Sequence, residues 1–279
     1  MTKSRSGKKN FRPFGGRELS LLAGLCGFFL LASAAYVFWL PDVSELKKKN
    51  PRETSFMLIK ERQALAQGKK LGRTMIWTGW DGISENLKHA VLVSEDGGFY
   101  RHKGVDWEST RKALETDWKK RRLAKGGSTI TQQLARNLYL SPSKNPLRKI
   151  KEMLIARRLE KELGKRRIFE IYLNVAEWGR GIYGAEAASR AYFGKSAADL
   201  APEEAAALAA ALPSPRRYSP VKGTKFMEGR KSAIVARMRA SGYLPEETDV
   251  EVMSESLEIL TSSGAAADIS TAPAEGAAP

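Results

Sequence analysis

From Leu19 to Leu40 the chain reads LSLLAGLCGFFLLASAAYVFWL, 22 residues without a charge. As a helix this run would extend roughly 33 Å, against a hydrocarbon core of about 30 Å. Tyr36 and Trp39 stand near its far end, where amphipathic rings favour a membrane interface, and Pro41 stops it. Ala32-Ser33-Ala34 resembles a signal-peptide cleavage site, but the apolar run continues past it through Leu40. The pattern therefore predicts an uncleaved transmembrane signal anchor over 19–40, and the absence of a polar face argues against a buried core helix.

Past residue 41 the apolar spacing is mostly helical, and alternating β-branched runs between tight turns are nearly absent. Ser84 is placed to cap a helix that turns Leu87, Val91 and Leu92 toward a core. Arg148 to Leu163 puts Ile150, Met153, Leu154 and Leu159 on one stripe. Pro202 suits the first turn of an Ala/Leu-rich helix through Leu212, which Pro213 and Pro215 end. Another helix is predicted around Phe226 to Ala240, with Gly242 as its terminator. From about Thr261 the chain is Ala, Ser, Thr, Gly and Pro with scattered acids, too poor in apolar surface to order itself. The predicted organisation is a basic segment over 1–18, the anchor over 19–40, one helical domain over 41–245 and a low-complexity tail over 246–279.

Charge narrows the choice of partners. The formal net charge of +16 points to polyanions: nucleic acid, anionic headgroups or a phosphorylated substrate. No recognition helix or aromatic base platform accompanies it, so nucleic acid is not expected. Lys3, Arg5, Lys8, Lys9, Arg12 and Arg17 precede the anchor, which favours a cytoplasmic N-terminus, although Lys47, Lys48, Lys49 and Arg52 follow it. With Cys26 the single cysteine and His89 and His102 the two histidines, neither a disulfide nor a Cys/His zinc site can be assembled. An oxygen-ligated divalent cation stays open.

Four segments carry candidate chemistry. Glu95 and Asp96 close an apolar helix and lead into Gly97-Gly98-Phe99-Tyr100-Arg101-His102-Lys103-Gly104, where a carboxylate could accept a proton in a cleft. Taken alone, this is equally a solvated acidic pair in a loop. Gly126-Gly127-Ser128-Thr129-Ile130-Thr131-Gln132-Gln133 then turns into a helix through Arg136 and Asn137. Its N–H-rich start suits phosphate, and a plain capped helix accounts for it equally. Arg148, Lys149 and Glu152 share a helix face, as a surface ion pair also would. The fourth segment, Arg167 to Asn174 and the glycines after it, looks like core helix and loop.

Order and spacing tip the balance. The patterns E-D-x-x-F-x-x-H-x-G, G-G-S-T-x-x-Q-Q, R-K-x-x-E and E-x-Y-L-N occur in sequence between Glu95 and Lys195. This run closely resembles glycosyltransferase family 51, the transglycosylase module of penicillin-binding proteins. One departure is Arg136, where the family usually has Lys; the positive charge survives with different geometry. Ser141-Pro142-Ser143-Lys144 also matches the acylated-serine pattern S-x-x-K. That match is accidental: it falls inside the same region, and too little chain follows residue 245 for a transpeptidase.

The resemblance implies a mostly α, lysozyme-like domain behind a single membrane helix, with no organic cofactor and a divalent ion (Mg or Mn) left open. It implies lipid II and undecaprenyl-pyrophosphate-linked glycan as substrates, on the outer face of a bacterial inner membrane among other cell-wall synthesis proteins. Glu95 would be the general base, with Glu152 serving catalysis by organising the basic groups or the leaving group. Arg136, Arg148 and Lys149 would face the pyrophosphate. Ser128, Thr129, Gln132, Gln133 and Asn137 would position sugars and phosphates, while Asp96, Phe99 and His102 would shape the cleft. A surface from Trp107 to Arg122, with Trp118 inserted, is expected to touch the bilayer. The competing expectation is a lytic enzyme of related fold that cuts finished peptidoglycan.

Overall fold

The computed structural model describes residues 16–69, 72–111, 115, 127–143 and 145–246, with side chains from residue 20 onward. The expected bilayer contact around Trp118 and the tail over 246–279 lie outside these residues, apart from Trp107 to Arg111, Glu115 and Glu246. Helices dominate the described chain.

The apolar run forms α1, Gly16–Phe38, a helix of 23 residues. Within it Ser20–Phe38 is long and apolar enough to cross a membrane. Leu21, Phe28, Leu31 and Phe38 are exposed along it, as they would be against lipid. At its C-terminal end Val37 is buried and the Lys151 ammonium lies 4.3 Å from the Tyr36 ring centroid. The anchor thus ends packed on the domain rather than trailing from it.

After α2, Ser55–Leu65, comes α3, Glu85–Glu95, with Ser84 accepting from the Leu87 N–H as its cap. The next helices are α4, Ile130–Tyr139, α5, Pro146–Glu162, and α6, Lys165–Val175. They are followed by α7, Ala185–Phe193, α8, Pro202–Ala211, and α9, Lys225–Ala240. Helix α3 packs on α8 and α9, while α4 packs on α2, α5 and α6. Between the two groups Phe99 and Phe169 meet with ring centroids 5.4 Å apart. The Ala-rich sequence of α8 has a packing reason: Ala205 through Ala211 are all buried, and small side chains let neighbouring helices approach closely.

Two expectations are corrected. The stripe assigned to residues 148–163 holds only in part: Leu159 is buried and Met153 and Leu154 are half-buried, but Ile150 is exposed, and the other buried positions of α5 are Glu152, Ile155 and Ala156. A carboxylate occupies the core-facing register because cations meet it there. The chain also contains a small sheet in the order β1-β3-β2, formed by β1, Thr74–Met75, β2, Glu177–Gly179, and β3, Ile182–Tyr183. Strands of two and three residues offer no alternation to read. Beside the sheet, Asn174 of α6 accepts from the Thr78 N–H and donates to the Thr78 carbonyl, both at 2.9 Å, tying the segment between β1 and α3 to α6.

Candidate active site

Glu95 is the last residue of α3 and is half-buried. It lines a cavity of about 160 Å³ together with Gly97, Gly98, Asp106, Ser109, Gly127 and Ser128. Burial pushes its carboxyl above the ordinary glutamate value. The Gln133 amide, which donates to Oε2 at 2.8 Å, and the charges of Arg230 and Arg136 oppose that rise. A carboxyl whose hold on a proton is strengthened in this way is suited to act as a proton acceptor.

Its neighbour does different work. Asp96 is buried and accepts from His102 Nε2 at 3.0 Å and from the Ile130 N–H at 2.9 Å. The second bond places a carboxylate at the N-terminus of α4, where the exposed N–H groups and the helix dipole favour it. His102 is oriented from its other side, because the Gly104 N–H donates to Nδ1 at 3.2 Å, which leaves Nε2 as the proton-bearing nitrogen. Gly104 itself is required: its φ is +88°, and a Cβ there would sit 3.0 Å from the Ala156 carbonyl oxygen.

Of the residues the sequence proposes for substrate contact, Phe99 and Gln132 are built into the interior, while Asp96 and Thr129 are buried and also line the Glu95 cavity. Phe99 is 1% exposed and packs among Phe169, Tyr100 and His102. Thr129 and Gln132 form a reciprocal capping box on α4, and the Thr129 hydroxyl donates to the Gly104 carbonyl at 2.7 Å. Their effect on the cleft is to fix the turn between Glu95 and α4. Gln133 does reach the site, through Glu95. Arg136 and Asn137 follow it on α4, both half-buried.

The third segment forms a clamp. Glu152 is 1% exposed and accepts from Arg148 Nη1 and Lys149 Nζ, each at 2.5 Å. Lys149 also donates to the Ser128 hydroxyl at 2.9 Å, and Arg148 Nε donates to the Ser143 carbonyl at 2.6 Å. A buried carboxylate with no cation would be costly, and here two cations share it. One anionic charge set against two cationic ones leaves the group net positive and aimed at the glycine turn that borders the Glu95 cavity. Both Glu152 oxygens face cations, a poor seat for a divalent ion. Among the described residues no three His, Cys, Asp or Glu side chains gather as a metal site.

Sequence reasoning missed two groups. Arg230 lies in none of the four patterns, yet its charge acts on Glu95 from α9, where its Nε donates to the Ala210 carbonyl at 3.1 Å. Tyr172, the tyrosine of E-x-Y-L-N, donates its hydroxyl to Gln133 Oε1 at 3.0 Å. No local signal marks Arg230; only the packing of α9 on α3 brings it near.

A helical scaffold that sets a proton-accepting carboxylate beside a net-positive clamp suits the transfer of a group from an anionic leaving group. Comparison with known proteins agrees: the transglycosylase family profile matches residues 62–239, and the chain belongs to that family of glycosyl-transferring enzymes. A biosynthetic peptidoglycan transglycosylase of Dechloromonas aromatica (strain RCB) is 45% identical over 228 residues, covering 81% of this chain and 97% of the relative. One from Janthinobacterium sp. (strain Marseille) is 47% identical over 217 residues, covering 76% of this chain and 92% of the relative. That of Alcanivorax borkumensis is 45% identical over 218 residues, with 78% and 86% covered.

Proposed function

We propose that this enzyme polymerises peptidoglycan glycan strands by transferring a growing undecaprenyl-pyrophosphate-linked chain to the 4-hydroxyl of lipid II. Glu95 accepts the proton of that hydroxyl as its oxygen attacks the donor anomeric carbon. The new C–O bond forms on the face opposite the leaving group, so the configuration inverts and the linkage is β-1,4. The bond from the anomeric carbon to pyrophosphate breaks, and its electron pair leaves with undecaprenyl pyrophosphate. Arg136, Arg148 and Lys149 stabilise the charge that develops there. Glu152 holds Arg148 and Lys149 in place, and Ser128, Gln133 and Asn137 contact sugar or phosphate. No step is assigned to a metal.

The observation that carries this reading is the pairing of a Glu95 carboxyl raised by burial with the Arg148–Lys149–Glu152 clamp across one glycine turn. The names of the relatives supply the polymer. A substrate with a polyprenyl tail must be met at a membrane, and α1 offers a single span for that. The corresponding location is a bacterial inner membrane, with the N-terminus cytoplasmic, the catalytic domain periplasmic, and other cell-wall synthesis proteins as neighbours.

The test uses purified full-length protein with labelled lipid II in detergent. Polymer is expected from the wild type and none from Glu95→Gln. If both proteins polymerise equally, Glu95 is not the base. If neither polymerises and the wild type instead releases fragments from finished sacculi, the reaction is lytic.

A further inference from the structure

Glu95 lies at the end of a chain of two hydrogen bonds, and the far member of that chain has no part in the reaction described so far. Tyr172 sits in α6 and is 1% exposed; its hydroxyl donates to Gln133 Oε1 at 3.0 Å. The other end of the same amide donates through Nε2 to Glu95 Oε2 at 2.8 Å. A primary amide can face either way, and its neighbours decide which. Turned over, Gln133 would present its oxygen to an ionised Glu95, which repels it.

We propose that Tyr172 is a positioning residue for the reaction: its hydroxyl fixes the Gln133 amide so that the NH2 group faces Glu95. This rests on the assignment of Glu95 as general base. Burial raises the Tyr172 phenol well above its ordinary value, so it remains a protonated donor throughout the working range. A donor at that point requires an acceptor, which selects Oε1 and turns Nε2 toward the carboxylate. Held from Oε2, Glu95 keeps its other oxygen toward the cavity where the acceptor hydroxyl arrives. The oriented donor also favours the ionised, proton-accepting form. Phenylalanine offers no such donor and leaves the amide free to face either way.

The experiment measures the rate of lipid II polymerisation against pH for the full-length wild type, Tyr172→Phe, Gln133→Met, the double variant and Glu95→Gln. Because the base works ionised, activity falls as pH drops through the Glu95 pKa. With the donor less well oriented, that acid limb is expected to move up by about half a pH unit in Tyr172→Phe. Rates on the acid side then fall about threefold, while KM for lipid II is unchanged. The double variant should show the same limb as Gln133→Met alone, since Tyr172 acts only through that amide. An unmoved limb in Tyr172→Phe overturns the proposal, whether the rate is unaltered or lowered equally at every pH. Should Tyr172→Phe fail to fold, Gln133→Met decides by itself: it removes the amide through which Tyr172 acts, and an acid limb that stays at the wild-type position overturns the proposal. Full activity in Glu95→Gln removes the base assignment and this proposal together. An inactive Glu95→Gln with an unmoved Tyr172→Phe limb removes the proposal alone.

Discussion

Replacing Asp96 with asparagine separates architecture from chemistry at adjacent carboxylates. Asp96 receives two proton donors, His102 Nε2 and the Ile130 N–H. His102 Nε2 lies 3.0 Å from both carboxylate oxygens, and asparagine offers one oxygen, so the imidazole would face an NH2 group on one side. The loss is one charge-assisted hydrogen bond, about 1.5–3 kcal/mol, plus the favourable interaction of a negative charge with the start of α4, about 0.5–1 kcal/mol. Together this is roughly 2–4 kcal/mol. For a domain of this size each kcal/mol moves the melting temperature by about 2–4 °C, so a fall on the order of 5–15 °C is expected. Differential scanning fluorimetry in detergent reads it directly. The second consequence is chemical. Asp96 raises the Glu95 carboxyl through like-charge repulsion, the smallest of the contributions at that site, so its neutralisation lowers the Glu95 pKa. The acid limb of the pH–rate profile therefore moves to lower pH, opposite to the shift expected of Tyr172→Phe. A variant that melts like the wild type but has lost all activity would refute the structural assignment of Asp96.

Three further outcomes follow from the same geometry. Glu152→Gln removes the buried charge that gathers Arg148 and Lys149; a loss of about 2–4 kcal/mol is expected for the stranded guanidinium, with the Lys149 contribution discounted because that side chain is 40% exposed. Melting temperature and polymerisation rate should fall together, and a stable variant with unchanged rate would show that the clamp is not used. Glu95→Gln should stabilise the fold at neutral pH. The folded-state pKa of Glu95 is raised, so its contribution to stability is lost as pH climbs from the ordinary glutamate value through the folded one. The gain should vanish in melts run below the ordinary glutamate pKa, and a gain equal at all pH values would contradict it. Gly104→Ala must strain a φ of +88° and press on the Ala156 carbonyl. A cost of about 2 kcal/mol or more is expected in denaturant unfolding, and a neutral result would mean that the turn relaxes freely.

Much of this was legible in the chain. Helix positions followed from apolar spacing and from the Ser84 cap, and α8 and α9 begin within a residue of where Pro202 and Phe226 placed them. The four patterns named the neighbourhood of the site, since Glu95, Gln133 and Lys149 converge on one cavity and turn. What spacing could not tell was which motif residues turn inward. By spacing Thr129 and Gln132 suit sugars or a capping box equally, and the capping box is visible only in the folded hydrogen bonds. Ile150 misled because an apolar residue was read as core, while Glu152, a charge, took the buried register. Arg230 was invisible for a different reason: its proximity to Glu95 depends on the fold returning α9 to α3 far along the chain.

The contact between Tyr36 and Lys151 gives α1 a second meaning. Lys151 lies two residues from Lys149 and one from Glu152, on the same helix. With α1 upright in a bilayer, its docking on α5 sets the height of the clamp above the lipid surface, as a stop sets the depth of a tool. In the proposed reaction the leaving pyrophosphate is borne by a lipid and stays close to that surface, so the cations would have to come to it. The helix would then act as a gauge, and replacing Tyr36 and Val37, which carry the docking, would let the cations slip out of register without touching a residue that meets substrate.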